Sequence, residues 1–350
     1  MYAPIRSLLF RLDPETAHQL TLHTLRIAGN FPPSNWFLKQ LYKAPSQPVQ
    51  AFGLTFKNPI GLAAGYDKDA FAINGLSALG FGHVEVGTVT PKPQPGNPHP
   101  RVFRLLEDKA VINRMGFPGK GAEFVDRQLS VFRSKVISDQ SPVIVGVNLG
   151  KNKETPLEEA AHDYIDLMRS FMFYADYLTI NISSPNTVGL RRLQGREMLE
   201  QLLGAIQKER VPTLTPNPSP SGRGGFTPIL VKLSPDLNAE ELDDAIGVIL
   251  DKGMDGIIAT NTTLAREGLR SRLGSEAGGL SGHPLAVGSE AVLSQVVKRV
   301  AGRIPIVSVG GIMNPDDAKK RLAMGASLVQ VYTGLIYRGP KLVQDIVTNI

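Results

Sequence analysis

Residues 305–324 read PIVSVGGIMNPDDAKKRLAM, and the fold follows from how this stretch changes character along its length. Its opening run, Pro305 to Val309, is apolar or β-branched without strict polar alternation, the pattern of a strand covered on both faces. Gly310-Gly311 interrupt the run. Asn314-Pro315-Asp316-Asp317 then starts a helix: Asn caps it, Pro fits the first turn, and the acids face the positive end of the helix dipole. Strand, glycine turn and helix make one βα unit.

Working outward, similar runs recur at 59–65, 83–90, 143–150, 177–183, 228–234, 256–262, 305–312 and 328–334. Segments with helical spacing lie between most of them, including 156–173, 239–252 and 314–324. Runs apolar on both faces that alternate with helices predict a parallel sheet wrapped by helices. Eight units predict an α/β fold closed as a (β/α)8 TIM barrel. An open doubly wound sheet would carry a GxGxxG after its first strand, and the chain has none there. A length of 350 residues suits one such barrel, assigned to residues 46–350, with an N-terminal helical extension over 1–45.

Three segments fall outside the repeat. In the extension, Ile5, Leu8, Leu9 and Leu12 share a face, and Ala17, Leu20, Leu25 and Ala28 form a second apolar stretch, with Arg6, Arg11 and Arg26 among them. This is either a cap packed on the barrel or an amphipathic hairpin whose apolar face meets lipid or a lipophilic ligand. Between the second and third runs, 101–104 and 110–113 can pair as a hairpin about Glu107-Asp108-Lys109. That hairpin follows a strand's C-terminal end, where barrel active sites are built, and is expected to act as a lid. Residues 213–227 hold Pro216, Pro218, Pro220, Gly222, Gly224 and Gly225, a composition that buries little and reads as a flexible insertion away from the chemistry.

Composition narrows the function. Zero cysteines exclude disulfides, thiolate metal sites, cysteine-ligated iron–sulfur clusters and a cysteine base. The six histidines are scattered, so no metal site is expected. A net charge of +6 suits anionic partners, yet no concentrated basic stripe or motif points to nucleic acid. No apolar run reaches the ~18 residues of a membrane span. The N-terminus shows no signal-peptide pattern, and Asp13 and Glu15 argue against a transit peptide, so the expectation is a chain on the cytoplasmic side.

In a barrel the C-terminal strand ends carry the chemistry. Here they read Ala64-Gly65-Tyr66-Asp67-Lys68, Gly87-Thr88, Asn148-Leu149-Gly150, Asn181 to Asn186, Lys232-Leu233-Ser234, Thr260-Asn261-Thr262, Gly310-Gly311 and Tyr332-Thr333-Gly334. Paired carboxylates of the glycosidase kind are missing. Amide and ammonium donors suit a flat heterocycle with several carbonyls and a carboxylate. The small residues after the seventh and eighth strands suggest a phosphate.

Several of these segments, in this order, carry a family resemblance. Leu62-Ala63-Ala64-Gly65-Tyr66-Asp67-Lys68, Asn113-Arg114-Met115-Gly116-Phe117, Asn181-Ile182-Ser183-Ser184-Pro185-Asn186-Thr187, Ala259-Thr260-Asn261-Thr262-Thr263 and Gly278-Gly279-Leu280-Ser281-Gly282 resemble the signatures of class 2 dihydroorotate dehydrogenases. Leu12-Asp13-Pro14-Glu15-Thr16-Ala17-His18 resembles the same class, and only 213–227 falls outside the likeness. Tyr66 stands where an aliphatic residue is commoner.

The resemblance implies oxidation of (S)-dihydroorotate to orotate in pyrimidine (UMP) synthesis, with one FMN per chain and a membrane quinone as acceptor. It makes Ser184 the base that takes the C5 proton, with Thr187 and Phe117 shaping the proton's path. Substrate contacts fall to Lys68, Asn113, Arg114, Met115, Gly116, Phe117, Asn181, Asn186, Asn261 and Thr262. Flavin contacts fall to Ala64, Gly65, Lys68, Thr88, Asn148, Asn181, Lys232 and Thr260, and the phosphate to Gly282, Gly311, Tyr332 and Thr333. His18 and Arg104 are expected along a quinone tunnel. The family's class 1 uses a cysteine base, and one subclass adds an iron–sulfur partner subunit; a chain without cysteine points to the quinone class, as a monomeric, peripheral protein of the cell membrane. Two other readings remain: a related FMN barrel with a different substrate, and a silent barrel that only binds a membrane surface.

Overall fold

A computed structural model describes residues 2–136, 143–210 and 227–350. The stretch 213–227 lies outside them except for Thr227.

Three helices come first: α1 (Tyr2–Leu9), α2 (Pro14–Asn30) and α3 (Pro32–Leu41). Asp13 caps α2 by accepting hydrogen bonds from the Glu15 and Thr16 N–H groups, and Pro14 occupies the first turn. An antiparallel hairpin follows, β1 (Val49–Ala51) with β2 (Leu54–Phe56). The barrel strands are β3 (Ile60–Leu62), β4 (His83–Val89), β7 (Ile144–Leu149), β8 (Tyr177–Asn181), β9 (Ile229–Leu233), β10 (Gly256–Ala259), β12 (Ile306–Val309) and β13 (Leu328–Val331). Each pairs in parallel with its neighbour in this order, and β13 pairs with β3 to close the ring. All eight expected runs are strands.

The both-face apolar pattern has a direct cause. Alternate residues such as Leu230, Ile258, Val307 and Leu328 fill the barrel interior, whose N-terminal end Leu54 and Phe56 of the hairpin close. The residues between them, including Val231, Ile257, Val329 and Val331, pack outward against the helices. Those helices include α4 (Ile73–Ala78), α5 (Ala122–Val136), α6 (Ala160–Phe171), α7 (Arg196–Glu209), α8 (Ala239–Asp251), α9 (Ala286–Val300) and α10 (Pro315–Ala323). Asn314 caps α10 as the sequence predicts, accepting from the Asp317 N–H at 3.0 Å.

The expected hairpin of 101–104 with 110–113 is present as β5 (Val102–Leu105) and β6 (Ala110–Asn113). The sequence did not announce its third strand, β11 (Gly279–Gly282), which pairs with β6. The extension shows a packed side and an exposed apolar side. Helix α2 turns Ala17, Leu22 and Gly29 inward, with Gly29 backbone to backbone against Gly75, whereas Leu20 faces outward. Ile5, Leu8, Ile27, Phe31, Trp36 and Phe37 are exposed as well. Among the described residues no helix is long and apolar enough to cross a membrane.

Candidate active site

A cavity opens at the C-terminal mouth of the barrel, and strand ends and three loops line it. It offers about 140 Å³ to the centres of water-sized molecules, room for a ligand and not only for trapped solvent. Of the expected residues, Ala64, Gly65, Lys68, Thr88, Asn113, Met115, Gly116, Phe117, Asn181, Ser184 and Asn186 line it. So do Lys232, Thr260, Asn261, Thr262, Gly282, Gly311, Tyr332 and Thr333.

The amides form two hydrogen-bonded groups along the cavity. Asn181 Nδ2 donates to Thr88 Oγ1 at 2.9 Å and to Asn148 Oδ1 at 3.0 Å. Asn261 Nδ2 donates to Asn181 Oδ1 and Ser183 Oγ, and Asn186 Nδ2 donates to Asn113 Oδ1 at 3.1 Å. Asn186 Oδ1 is buried without a hydrogen-bond partner. Such an acceptor costs about 1–3 kcal/mol unless a ligand or water donates to it. Asn148 lies one layer behind, its Nδ2 donating to Glu85 Oε1 at 2.8 Å.

Two ammonium groups reach these amides. Lys232 is buried, and burial pushes its pKa down while Glu85, 3.9 Å away, opposes that shift. Lys68 Nζ donates to Gly65 O at 2.8 Å, and burial pushes its pKa down to about 8. Ser184 sits on the loop after β8, and its Oγ accepts the Asn186 N–H at 3.2 Å. Among the described residues no side chain accepts its hydroxyl hydrogen, so no carboxylate or imidazole activates it.

Opposite the amides lies a glycine flank. Gly282 and Gly311 have φ of +99° and +74°, a region that L side chains rarely adopt. A Cβ on Gly311 would lie 2.3 Å from Ala286 Cα, and one on Gly282 would lie 2.5 Å from Lys109 O. Both glycines therefore let the chain pack directly on its neighbours, Ala286 and Lys109, while lining the cavity with bare backbone. Together with the Thr333 hydroxyl and the backbone of Tyr332, this is the chemistry of a phosphate cradle, while the Tyr332 hydroxyl reaches Gly65 O at 3.5 Å. One cavity thus joins amide donors and acceptors to a place for an anion.

Besides Asn148, the expected residues Arg114, Thr187, Arg104 and His18 lie off the cavity wall, Thr187 buried. Arg114 pairs with Glu276 at 2.6 Å and stacks on Phe103. Arg104 donates to Leu9 O and Leu12 O and stacks on Phe10, which ties the turn between α1 and α2 to the hairpin. His18 lies elsewhere, in a second cavity of about 430 Å³ beneath α2. Its ring meets Tyr66 edge-on at 4.9 Å, and burial holds its pKa at about 3, so it is neutral near pH 7. The two cavities share Lys68 and Met115.

Several supporting residues escaped the sequence reading. Glu85 accepts from Asn148, Tyr177 and Gln330 inside the barrel; a lone acid in the apolar run of β4 was the available signal. Asn97 Nδ2 donates to Arg114 O at 2.9 Å and Asn186 O at 3.1 Å, joining two cavity loops. Arg191 donates to Ser183 O and Thr262 O while pairing with Asp236. Ser281 lines the cavity within a quoted motif, beside Thr333 Oγ1 at 2.8 Å. No group of three or more potential metal ligands occurs among the described residues.

The family model described as Dihydroorotate dehydrogenase matches residues 47–350. A Cellvibrio japonicus protein named dihydroorotate dehydrogenase (quinone) is 46% identical over 344 residues, covering 98% of this chain and 96% of its own. One of the same name from Acidithiobacillus ferrooxidans is 47% identical over 353 residues, covering 100% and 94%. The crystal structure of DHODH from Eimeria tenella in complex with ferulenol superposes with a TM-score of 0.85 at 39% identity, covering 98% of this chain and 93% of that one.

Proposed function

The chain belongs to the dihydroorotate dehydrogenase family, in its quinone-linked class, and on that footing we propose that it oxidises (S)-dihydroorotate to orotate with one bound FMN and a membrane quinone as acceptor, in UMP synthesis. The observation that carries this reading is the pairing of an amide layer, with Asn186 Oδ1 unpartnered, and a glycine cradle in one cavity.

FMN, when bound, supplies a reversible two-electron acceptor; the protein's part is binding, orientation and electrostatics. Gly282, Gly311, Tyr332 and Thr333 would hold its phosphate. Ala64, Gly65, Thr88, Thr260 and the Asn148–Asn181 pair would hold its rings, with Lys232 the cation that favours a reduced, anionic form. The segment from Asn113 to Phe117, with Asn181, Asn186, Asn261 and Thr262, would bind the substrate, and Lys68 stands between the two ligands.

Ser184 Oγ would take the proton from C5, and the C6 hydride, with its two electrons, would go to the acceptor that bound FMN supplies, which accounts for both hydrogens lost. A serine without a partner is a weak base, so the step leans on the conjugation gained in orotate and on an exit for the proton past Thr187 and Phe117. His18 in the second cavity, and Arg104 through the α1–α2 turn, shape the acceptor's approach. The exposed apolar side chains of α1–α3 support peripheral attachment to a membrane, and the reading takes the protein there as a monomer on the cytoplasmic face.

Purified protein should be yellow, bleach with dihydroorotate under anaerobic conditions and recolour with a quinone, not with fumarate or NAD⁺. A preparation that takes up no FMN sinks the reading in favour of a silent barrel.

A further inference from the structure

Arg321, on α10, is fully buried and has no role in the chemistry above. Its Nη2 donates to Ala286 O at 2.9 Å, Gly310 O at 3.0 Å and Ser289 Oγ at 2.8 Å. Ser289 Oγ bonds the same two carbonyls, Ala286 O at 3.0 Å and Gly310 O at 2.8 Å. Arg321 Nε and Nη1 are buried without hydrogen-bond partners. The acid beside it, Glu290, is 3.7 Å from Nε and is shared with Lys320. A guanidinium is thus spent deep in the protein on two backbone oxygens.

Those oxygens belong to the two segments that meet beneath the cradle, since Gly311 leaves no room for a Cβ against Ala286. The Gly310 carbonyl is held outward, toward Arg321. In a trans peptide the N–H of the next residue points opposite to the carbonyl. Holding Gly310 O outward therefore aims the Gly311 N–H at the cavity that both glycines line.

We propose that Arg321 is a positioning residue for the phosphate end of the cofactor: it staples the Gly310 and Ala286 carbonyls, presents the Gly311 N–H to a phosphate and sets a buried positive charge behind it. This rests on the FMN reading of the cavity. A charge buried this way in low dielectric acts over a longer range than one in water. It therefore favours a dianion over a neutral ligand of the same shape.

The test compares FMN with riboflavin, which lacks the phosphate. The full-length protein is stripped of flavin and titrated with each, following flavin fluorescence, for the parent and for Arg321→Met, Arg321→Lys and Ser289→Ala. Arg321→Met should weaken FMN about tenfold or more, the scale of a charge-assisted contact, and leave riboflavin unchanged. Arg321→Lys, which keeps the charge and loses the fork, should recover part of that loss. If Arg321→Met does not fold, Arg321→Lys and Ser289→Ala must still lower FMN selectively. Equal losses for both flavins, or no loss, overturn the proposal and leave Arg321 a structural clamp. Failure of the parent to bind either flavin overturns the cofactor reading itself.

Discussion

Glu85 Oε1 lies 3.9 Å from Lys232 Nζ, and both side chains are buried, Lys232 at the cavity floor and Glu85 inside the barrel. The two residues come from different strands, β4 and β9, and meet just beneath the amide layer. A buried pair of this kind adds little net stability, yet losing one partner leaves a charge stranded away from water. Glu85→Gln keeps an oxygen and adds an amide, so the packing persists while the charge is lost. The variant should lose about 3 kcal/mol of stability in urea melts, and Lys232, already pushed toward neutrality, should lose its proton more readily. Flavin reduction should slow with it. An unchanged reduction rate would remove the pair from the chemistry.

Ser184→Ala tests the proton step alone. Its Oγ accepts one backbone N–H from Asn186 and supports no other described contact, so the loop should survive. Orotate affinity should change little, while anaerobic flavin reduction should slow by about 10²–10⁴-fold, the usual range for a positioned base. Stopped-flow absorbance reads both.

Asn97 is remote from the reacting atoms but bridges Arg114 O and Asn186 O. Asn97→Ala should leave FMN content intact, raise the KM for dihydroorotate severalfold and cost about 1–2 kcal/mol in thermal or urea unfolding. Loss of FMN without a change in KM would show that the bridge serves the cofactor end instead.

Lys68 gives a pH dependence with a definite sign. Burial lowers its pKa from 10.5 to about 8, so it is cationic below that pH and neutral above it. Orotate, an anion, should bind more weakly as pH rises through about 8, and Lys68→Met should abolish the inflection. Stability should move the opposite way. Between about 8 and 10.5 the unfolded chain holds the proton that the folded chain has released, so unfolding free energy rises with pH there. Calorimetric titration and urea melts across this range check the two signs.

Much of the fold was legible because its signals are local. Each βα unit announces itself through a two-faced apolar run followed by helical spacing, and the unit of β12 and α10 adds a glycine break and the Asn314 cap, all within a stretch of neighbours. The hairpin of β5 and β6 was readable for the same reason. Strand β11 was not: Gly279–Gly282 has no strand composition, and its partner Val111 is 170 residues from Ser281. In α2, periodicity grouped Leu20 with Ala17 and Leu25 and left open whether the stretch met the barrel or lipid; the structure buries Ala17, Leu22 and Gly29, the last against Gly75, and exposes Leu20.

The amino-acid sequence by itself determined the order of strands and helices, the closure into a barrel, the family and the set of amides, lysines and glycines at the strand ends. The tertiary structure alone decided which polar atoms meet: Glu85 with Lys232, Asn97 with two loops, Arg321 behind Gly310, and Asn186 Oδ1 left without a donor. The reason is geometric. Hydrogen-bonded strands stand about 4.8 Å apart, so closing a sheet sets side by side groups that lie far apart along the chain. No local pattern encodes which of them will touch.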